Sequence, residues 1–292
     1  MTGDFTGLAV ALATPFADDG RIDLQAFRRL VQHVVRGGVD TLVVLGSTGE
    51  AATVDEDERD ALVRACLAEA RACQVLVGTG SNDTRRAAAW TRRARELGAS
   101  GALVVVPYYN KPMPQGILAH FRAVSAAAPG FPLVAYNVPG RTGTNLTGET
   151  LAALWSLPEV VALKESSGNL GQIAPMCAAL PRDKVLLAGD DHLALPTIAV
   201  GGAGLVSVAA NLAPREVQAL VTAAREGRLA DARALHARLL PLFDALFVES
   251  NPIPLKAGLA LTGLGGDSVR LPLTRPEPTT RARMAAALAA IG

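Results

Sequence analysis

Lysine is scarce in this chain, with only Lys111, Lys164, Lys184 and Lys256 along its length. Three of them sit in polar or turn-like sequence. Lys164 instead closes the apolar run Val160-Val161-Ala162-Leu163, and Glu165-Ser166-Ser167-Gly168 follows it. A short apolar run bounded by turn residues predicts a buried strand. Burial lowers the pKa of an amine, and a neutral amine attacks carbonyl carbon. An ammonium held in water at a strand end fits this run equally well, so the residues elsewhere must decide.

Several of those residues share the same kind of position, directly after an apolar run. All three tyrosines do so: Tyr108 and Tyr109 in Pro107-Tyr108-Tyr109-Asn110-Lys111-Pro112, and Tyr136 in Tyr136-Asn137-Val138-Pro139. A phenol beside a hydroxyl can pass protons. Gly46-Ser47-Thr48-Gly49-Glu50 offers two hydroxyls and closely spaced backbone N–H groups suited to a carboxylate. The alternative is a glycine turn whose Ser or Thr caps the next helix. Arg141, in Pro139-Gly140-Arg141-Thr142-Gly143, could clamp a carboxylate with two parallel hydrogen bonds, or stand solvated in its loop. Asp190 and Asp191 are expected to cap a helix starting at His192 rather than to form a metal pair. The four histidines are scattered and carry no role. A lysine nucleophile, proton-transfer groups and carboxylate-binding groups suit a Schiff-base aldolase of a small keto acid, which needs no metal and no organic cofactor.

Such groups must be brought together by the elements that end in them. Short apolar runs at 8–13, 41–45, 74–78, 102–106, 133–136, 160–164, 185–188 and 204–208 predict eight strands. Helical periodicity lies between them, at 24–35, 57–71, 85–97, 115–127 and 148–155. Continuous apolar strands alternating with helices imply parallel βαβ units, and eight fit a (β/α)8 TIM barrel. In that fold the chemistry gathers at the C-terminal strand ends. A doubly wound sheet is the alternative, but Gly78-Thr79-Gly80 is too short for its phosphate-binding fingerprint. After residue 213 the pattern is wholly helical, at 215–225, 229–247, 254–262 and 279–291. The expected organisation is a catalytic barrel over 1–225 and a C-terminal helical appendage over 226–292, with no freeing linker.

Composition excludes other classes. With 28 basic and 27 acidic residues the net charge is +1, which offers no electrostatic footprint for nucleic acid or anionic membrane. Aromatics at 4% leave little for a base-stacking platform. Cys66, Cys73 and Cys177 have neither disulfide nor zinc spacing. No apolar stretch reaches the roughly 18 residues of a membrane span, and the first residues lack a signal-peptide pattern. A cytoplasmic protein is the expectation.

At this point a resemblance emerges. Gly46-Ser47-Thr48-Gly49-Glu50, Tyr136-Asn137-Val138-Pro139 and Lys164-Glu165-Ser166-Ser167-Gly168-Asn169 resemble the dihydrodipicolinate synthase and N-acetylneuraminate lyase superfamily. The segments 107–112, 139–143 and Asn251-Pro252-Ile253-Pro254-Leu255-Lys256 are similar to its synthase branch. Nearly the whole chain is covered, with loop order and spacing kept. The resemblance implies that pyruvate forms a Schiff base with Lys164 and condenses with aspartate semialdehyde, giving 4-hydroxy-tetrahydrodipicolinate on the path to diaminopimelate and lysine. Tyr136 would move the protons, with Ser47 and Tyr109 completing a relay. Thr48 would bind the pyruvate carboxylate and Arg141 that of the semialdehyde. Gly189 and Val206 would line the pyruvate pocket through backbone groups. The Tyr109 equivalent reaches a neighbouring subunit's site, which implies a dimer as the minimal unit, and homotetramers are common in the family.

Two departures stand out. Synthases usually carry threonine where this chain has Ser47; the hydroxyl is kept but the β-branch that fixes its rotamer is lost. Ser-Thr here is also common in the lyase branch, whereas Arg141 and Tyr109 favour the synthase. Many bacterial members are inhibited by lysine at the dimer interface, where a histidine or similar residue and a glutamate hold the effector. The matching positions here are Glu56, Arg59 and Arg86. Arg86 would replace the carboxylate facing the effector's ammonium, so weak or absent inhibition is expected. Besides a related aldolase for a sugar acid or another aldehyde, a catalytically silent keto-acid sensor is the alternative, against which Lys164, Tyr136 and Ser47 together argue.

Overall fold

A computed structural model describes residues 5–291. Eight parallel strands close into a barrel in sequence order: β1 (Gly7–Ala11), β2 (Thr41–Val44), β3 (Gln74–Gly78), β4 (Gly101–Val105), β5 (Leu133–Asn137), β6 (Val160–Glu165), β7 (Val185–Ala188) and β8 (Gly204–Ser207). All eight expected strands form, with ends shifted by a residue or two. β8 closes onto β1 through Gly7↔Gly204, where a Cβ on Gly204 would collide with the Gly7 carbonyl oxygen. The barrel mouth follows from alternation along the strands. Ala9, Ala11, Val43, Leu103, Val134, Tyr136, Ala162, Leu187 and Val206 share one buried cluster inside, while Leu8, Val10, Leu42, Val104, Ala135, Leu163 and Leu186 join the shell beneath the helices.

One irregularity sets the register that matters most. Between β5 and β6 the pairing slips by a residue, from Leu133↔Val160 to Val134↔Ala162, so Val161 is extra. In consequence Tyr136 lies beside Lys164. Without the extra residue it would lie beside Leu163.

Several of the helices surrounding the barrel begin at a short polar side chain that accepts from a first-turn N–H, or at a proline that has no N–H to leave unpaired. α1 (Leu24–Arg36) starts at Asp23, whose carboxylate accepts from the Ala26 N–H at 2.8 Å. α2 (Glu56–Glu69) has a reciprocal capping box between Asp55 and Glu58. α3 (Thr84–Glu96) and α4 (Pro114–Ala127) follow. Next come α5 (Pro139–Thr142), a single turn where the sequence suggested a loop, and α6 (Gly148–Leu154). α7 (Leu170–Ala178) and α8 (Ala194–Ala199) are short, and their interior prolines obscure the periodicity. α9 (Pro214–Arg225) completes the ring.

α10 (Leu229–Ala245), α11 (Ile253–Leu261) and α12 (Pro278–Ile291) come last. Leu239, Phe243, Leu246, Leu255, Leu259, Met284 and Ile291 are buried in the same continuous core as the outer faces of the strands. Burial of that apolar area holds these helices against the barrel.

Candidate active site

Lys164 and Tyr136 meet at the top of the barrel. Both are buried, and the Lys164 Nζ lies 4.2 Å from the centre of the Tyr136 ring. Side by side on paired inward positions, amine and phenol can work on one bound molecule. Behind Lys164 is Gly189, which follows β7 and whose N–H donates to the Glu165 carbonyl at 2.8 Å. A Cβ at Gly189 would collide with Ser166 Oγ and come within 3.0 Å of Lys164 Cε, so Lys164 occupies space that any larger residue would fill. Ser166 Oγ is buried there without a partner among the described residues. Val206 projects into the barrel interior, in the cluster that also holds Tyr136.

The outward-facing neighbours fix these two strand ends. Asn137 Nδ2 donates to Glu165 Oε2 and to Asn145 Oδ1, both at 2.9 Å, and Asn137 Oδ1 accepts from the Leu146 N–H at 2.8 Å. Glu165 Oε1 accepts from the Ser167 N–H at 2.6 Å. Burial pushes the Glu165 carboxyl up, against these hydrogen bonds, which pull it down. Asn137 and Glu165 stood in the quoted motifs without a role, because a pairing across two strands has no local signature.

The loop after β2 is a compact turn. The N–H groups of Gly49, Glu50 and Ala51 are used internally, on the carbonyls of Gly46, Ser47 and Gly46. This takes Gly49 and Glu50 out of the expected row of N–H donors, and Ser47 and Thr48 stay in it. Neither hydroxyl caps a helix, since Asp55 caps α2. Ser47 is exposed, whereas Thr48 is buried and its Oγ1 accepts from Asn251 Nδ2 at 2.9 Å. On α5, Arg141 Nη2 donates to the Asn251 carbonyl at 3.2 Å. Tyr109 is 87% exposed, with a left-handed φ of 70°, and its N–H donates to the Thr142 carbonyl at 3.2 Å. Its side chain therefore stands in solvent rather than packed against this chain's own residues.

Three expectations need correction. Lys256 lies on α11, in keeping with the helix expected over 254–262, but not in polar surroundings: it is fully buried, and its Nζ pairs with Glu50 Oε1 and donates to the Ser268 carbonyl at 2.8 Å. Burial pushes its ammonium down to about 8, against the Glu50 charge, which holds it up. Lys184 is buried as well, so lysine burial by itself does not single out Lys164. Asp190 and Asp191 do not cap through their side chains. Asp191 is buried and accepts from Ser207 Oγ at 2.5 Å and from the N–H groups of Val208 at 3.0 Å and Ala209 at 3.2 Å. Asp190 lies close enough for the Lys164 charge to oppose the upward push of burial on its carboxyl. Among the described residues no group of three or more His, Cys, Asp or Glu is arranged to hold a metal ion.

Fold and site together define a class, the lysine-dependent aldolases built on a (β/α)8 barrel. The comparisons narrow it. A family model described as the dihydrodipicolinate synthetase family matches residues 4–291, and the chain belongs to this family. It is 45% identical over 289 residues to the 4-hydroxy-tetrahydrodipicolinate synthase of Syntrophotalea carbinolica, covering 99% of this chain and 98% of that one. It is 47% identical over 290 residues to the synthase of the same name from Thermosynechococcus vestitus, covering 99% and 98%. The crystal structure of the Cyanidioschyzon merolae family member, with lysine bound, superposes with a TM-score of 0.95 at 42% identity, covering 98% of each chain.

Proposed function

We propose that Lys164 is the nucleophile of a condensation between pyruvate and L-aspartate 4-semialdehyde that gives 4-hydroxy-tetrahydrodipicolinate. The observation that carries this reading is the Lys164 amine held over the Tyr136 ring, in a chain that matches synthases of that name from end to end. The amine adds to the pyruvate ketone, and the carbinolamine loses water to an iminium. Removal of a methyl proton gives the enamine, whose carbon attacks the aldehyde and leaves a hydroxyl. The amine of the semialdehyde then adds to the iminium carbon and expels Lys164, which closes the ring.

Tyr136 is the group placed to carry protons to and from the adduct. Ser47 and Tyr109 extend this relay. Thr48 binds the pyruvate carboxylate with its N–H and hydroxyl, and Arg141 binds that of the semialdehyde. Gly189 and Val206 bound the pyruvate pocket, Gly189 by leaving room for the lysine stem.

The 87% exposure of Tyr109 supports self-association, because a phenol so placed can act only in another copy's site. We assign a dimer as the minimal unit and a homotetramer as the full assembly. The division into a barrel over 1–225 and a helical region over 226–292 is kept, with the second region bracing the first. No helix among the described residues is long and apolar enough to cross a membrane, and we place the protein in the cytoplasm.

Lysine is a poor effector in this reading. Arg86 stands where the resemblance puts the carboxylate that would pair with an effector's ammonium, and like charges repel; its guanidinium lies 5.7 Å from the Trp90 ring centre, and that of Arg59 lies 3.9 Å from the same ring.

The test is a coupled assay of pyruvate-dependent semialdehyde consumption. The reading expects turnover with the semialdehyde and a raised semialdehyde KM in Arg141→Ala. Turnover only with sugar-acid aldehydes would replace it with the related aldolase.

A further inference from the structure

We propose that Asn251 is a positioning residue that sets both carboxylate subsites at once: its side-chain amide holds the Thr48 hydroxyl as a donor, and its backbone carbonyl aims Arg141. The proposal rests on the roles given above to Thr48 and Arg141. Asn251 lies outside the barrel strands, between α10 and α11, and is buried.

A hydroxyl has one proton and two lone pairs. Asn251 Nδ2, a donor only, fills one lone pair of Thr48 Oγ1 at 2.9 Å. The Thr48 proton is thereby left for another acceptor, and an ionised carboxylate accepts but cannot donate. The same residue's carbonyl accepts from Arg141 Nη2 at 3.2 Å. One short stretch of backbone thus fixes the spacing of the two subsites.

Two further observations carry the argument. Asn251 Oδ1 is buried without a partner among the described residues. A purely structural asparagine would be expected to satisfy both edges of its amide; here only the donor edge facing Thr48 is used. The segment is also pinned a second time to the same loop, where Lys256 meets Glu50, two residues beyond Thr48. Two anchors hold the 251–256 segment in register with the β2 loop.

The test compares Asn251→Asp, Asn251→Ala and Thr48→Val by the pyruvate concentration that half-saturates borohydride trapping on Lys164, with circular dichroism to establish folding. An aspartate keeps the shape and reverses the polarity. It accepts the Thr48 proton, turns it from the substrate and adds a like charge. The expected rise is about tenfold or more for Asn251→Asp and about fivefold for Asn251→Ala. The Asn251→Asp defect should grow with pH as the new carboxyl ionises. Thr48→Val combined with Asn251→Ala should be no worse than Thr48→Val alone, since both act through one hydroxyl. Packing alone would make alanine worse than the isosteric aspartate, and that order would overturn the proposal. Half-saturation at the parent value in both Asn251 variants, with a raised value in Thr48→Val, would also overturn it. An unchanged value in Thr48→Val would instead remove the role given to Thr48.

Discussion

Replacing Gly189 with alanine probes how closely the strand ends pack around the lysine. The new Cβ would collide with Ser166 Oγ and lie 3.0 Å from Lys164 Cε and 3.1 Å from the Glu165 carbonyl oxygen. Carbon atoms in contact prefer about 3.5–4.0 Å, so the lysine stem must retreat by roughly half an ångström or more. The Glu165 carbonyl cannot yield easily, because it accepts from the Gly189 N–H at 2.8 Å. Ser166 can rotate away. Overpacking of this kind costs about 1–3 kcal/mol, and misplacing a reacting group by about 1 Å costs on the order of a hundredfold in rate. Gly189→Ala should therefore melt several degrees lower and form the borohydride-trapped pyruvate adduct about ten to a hundred times more slowly. Adding Ser166→Ala should restore most of the stability and little of the trapping rate, since the contact with Cε remains. Trapping at the parent rate in Gly189→Ala would refute the placement of Gly189 against the reacting amine.

Other consequences follow from buried charge. Lys256→Met leaves Glu50 buried without its partner and should cost about 3–5 kcal/mol in urea unfolding, part of which Glu50→Gln in the same chain should return; equal stability of single and double variants would contradict the pairing. Burial lowers His120 from 6.5 to about 4, so the unfolded chain binds the extra proton first. Stability from this group is full above pH 6.5 and is lost as pH falls toward 4, by about 3 kcal/mol at most, and His120→Asn should flatten that part of the stability profile. Lysine added to the assay should inhibit weakly or not at all, and strong inhibition at sub-millimolar lysine would contradict the reading of Arg86.

The strands were legible because strands buried on both faces must be continuously apolar, and the residues after them then mark one face of the barrel. That reasoning singled out Lys164, Tyr136, Thr48 and Arg141 as candidates. It did not reach the groups that hold them. Asn251 and Thr48 are 203 positions apart, and Lys256 meets Glu50 across a similar span, so neither pairing leaves a local pattern. The helix over 254–262 was legible, with Pro252 as the cap of α11 and Pro254 in its first turn, but the burial of Lys256 on it was not. Asp191 read as a cap because two acids preceding a helix usually are one. Its partners Ser207, Val208 and Ala209 belong to the next strand end, which only closure of the barrel brings near.

The central claim is that Lys164 carries the keto acid. Incubation with pyruvate and borohydride followed by peptide mass spectrometry tests it directly. The account predicts a reduced adduct on the peptide bearing Lys164, none on that bearing Lys256, none in Lys164→Ala, and slowed formation in Tyr136→Phe. An adduct confined to another lysine, or none at all in active enzyme, would contradict it.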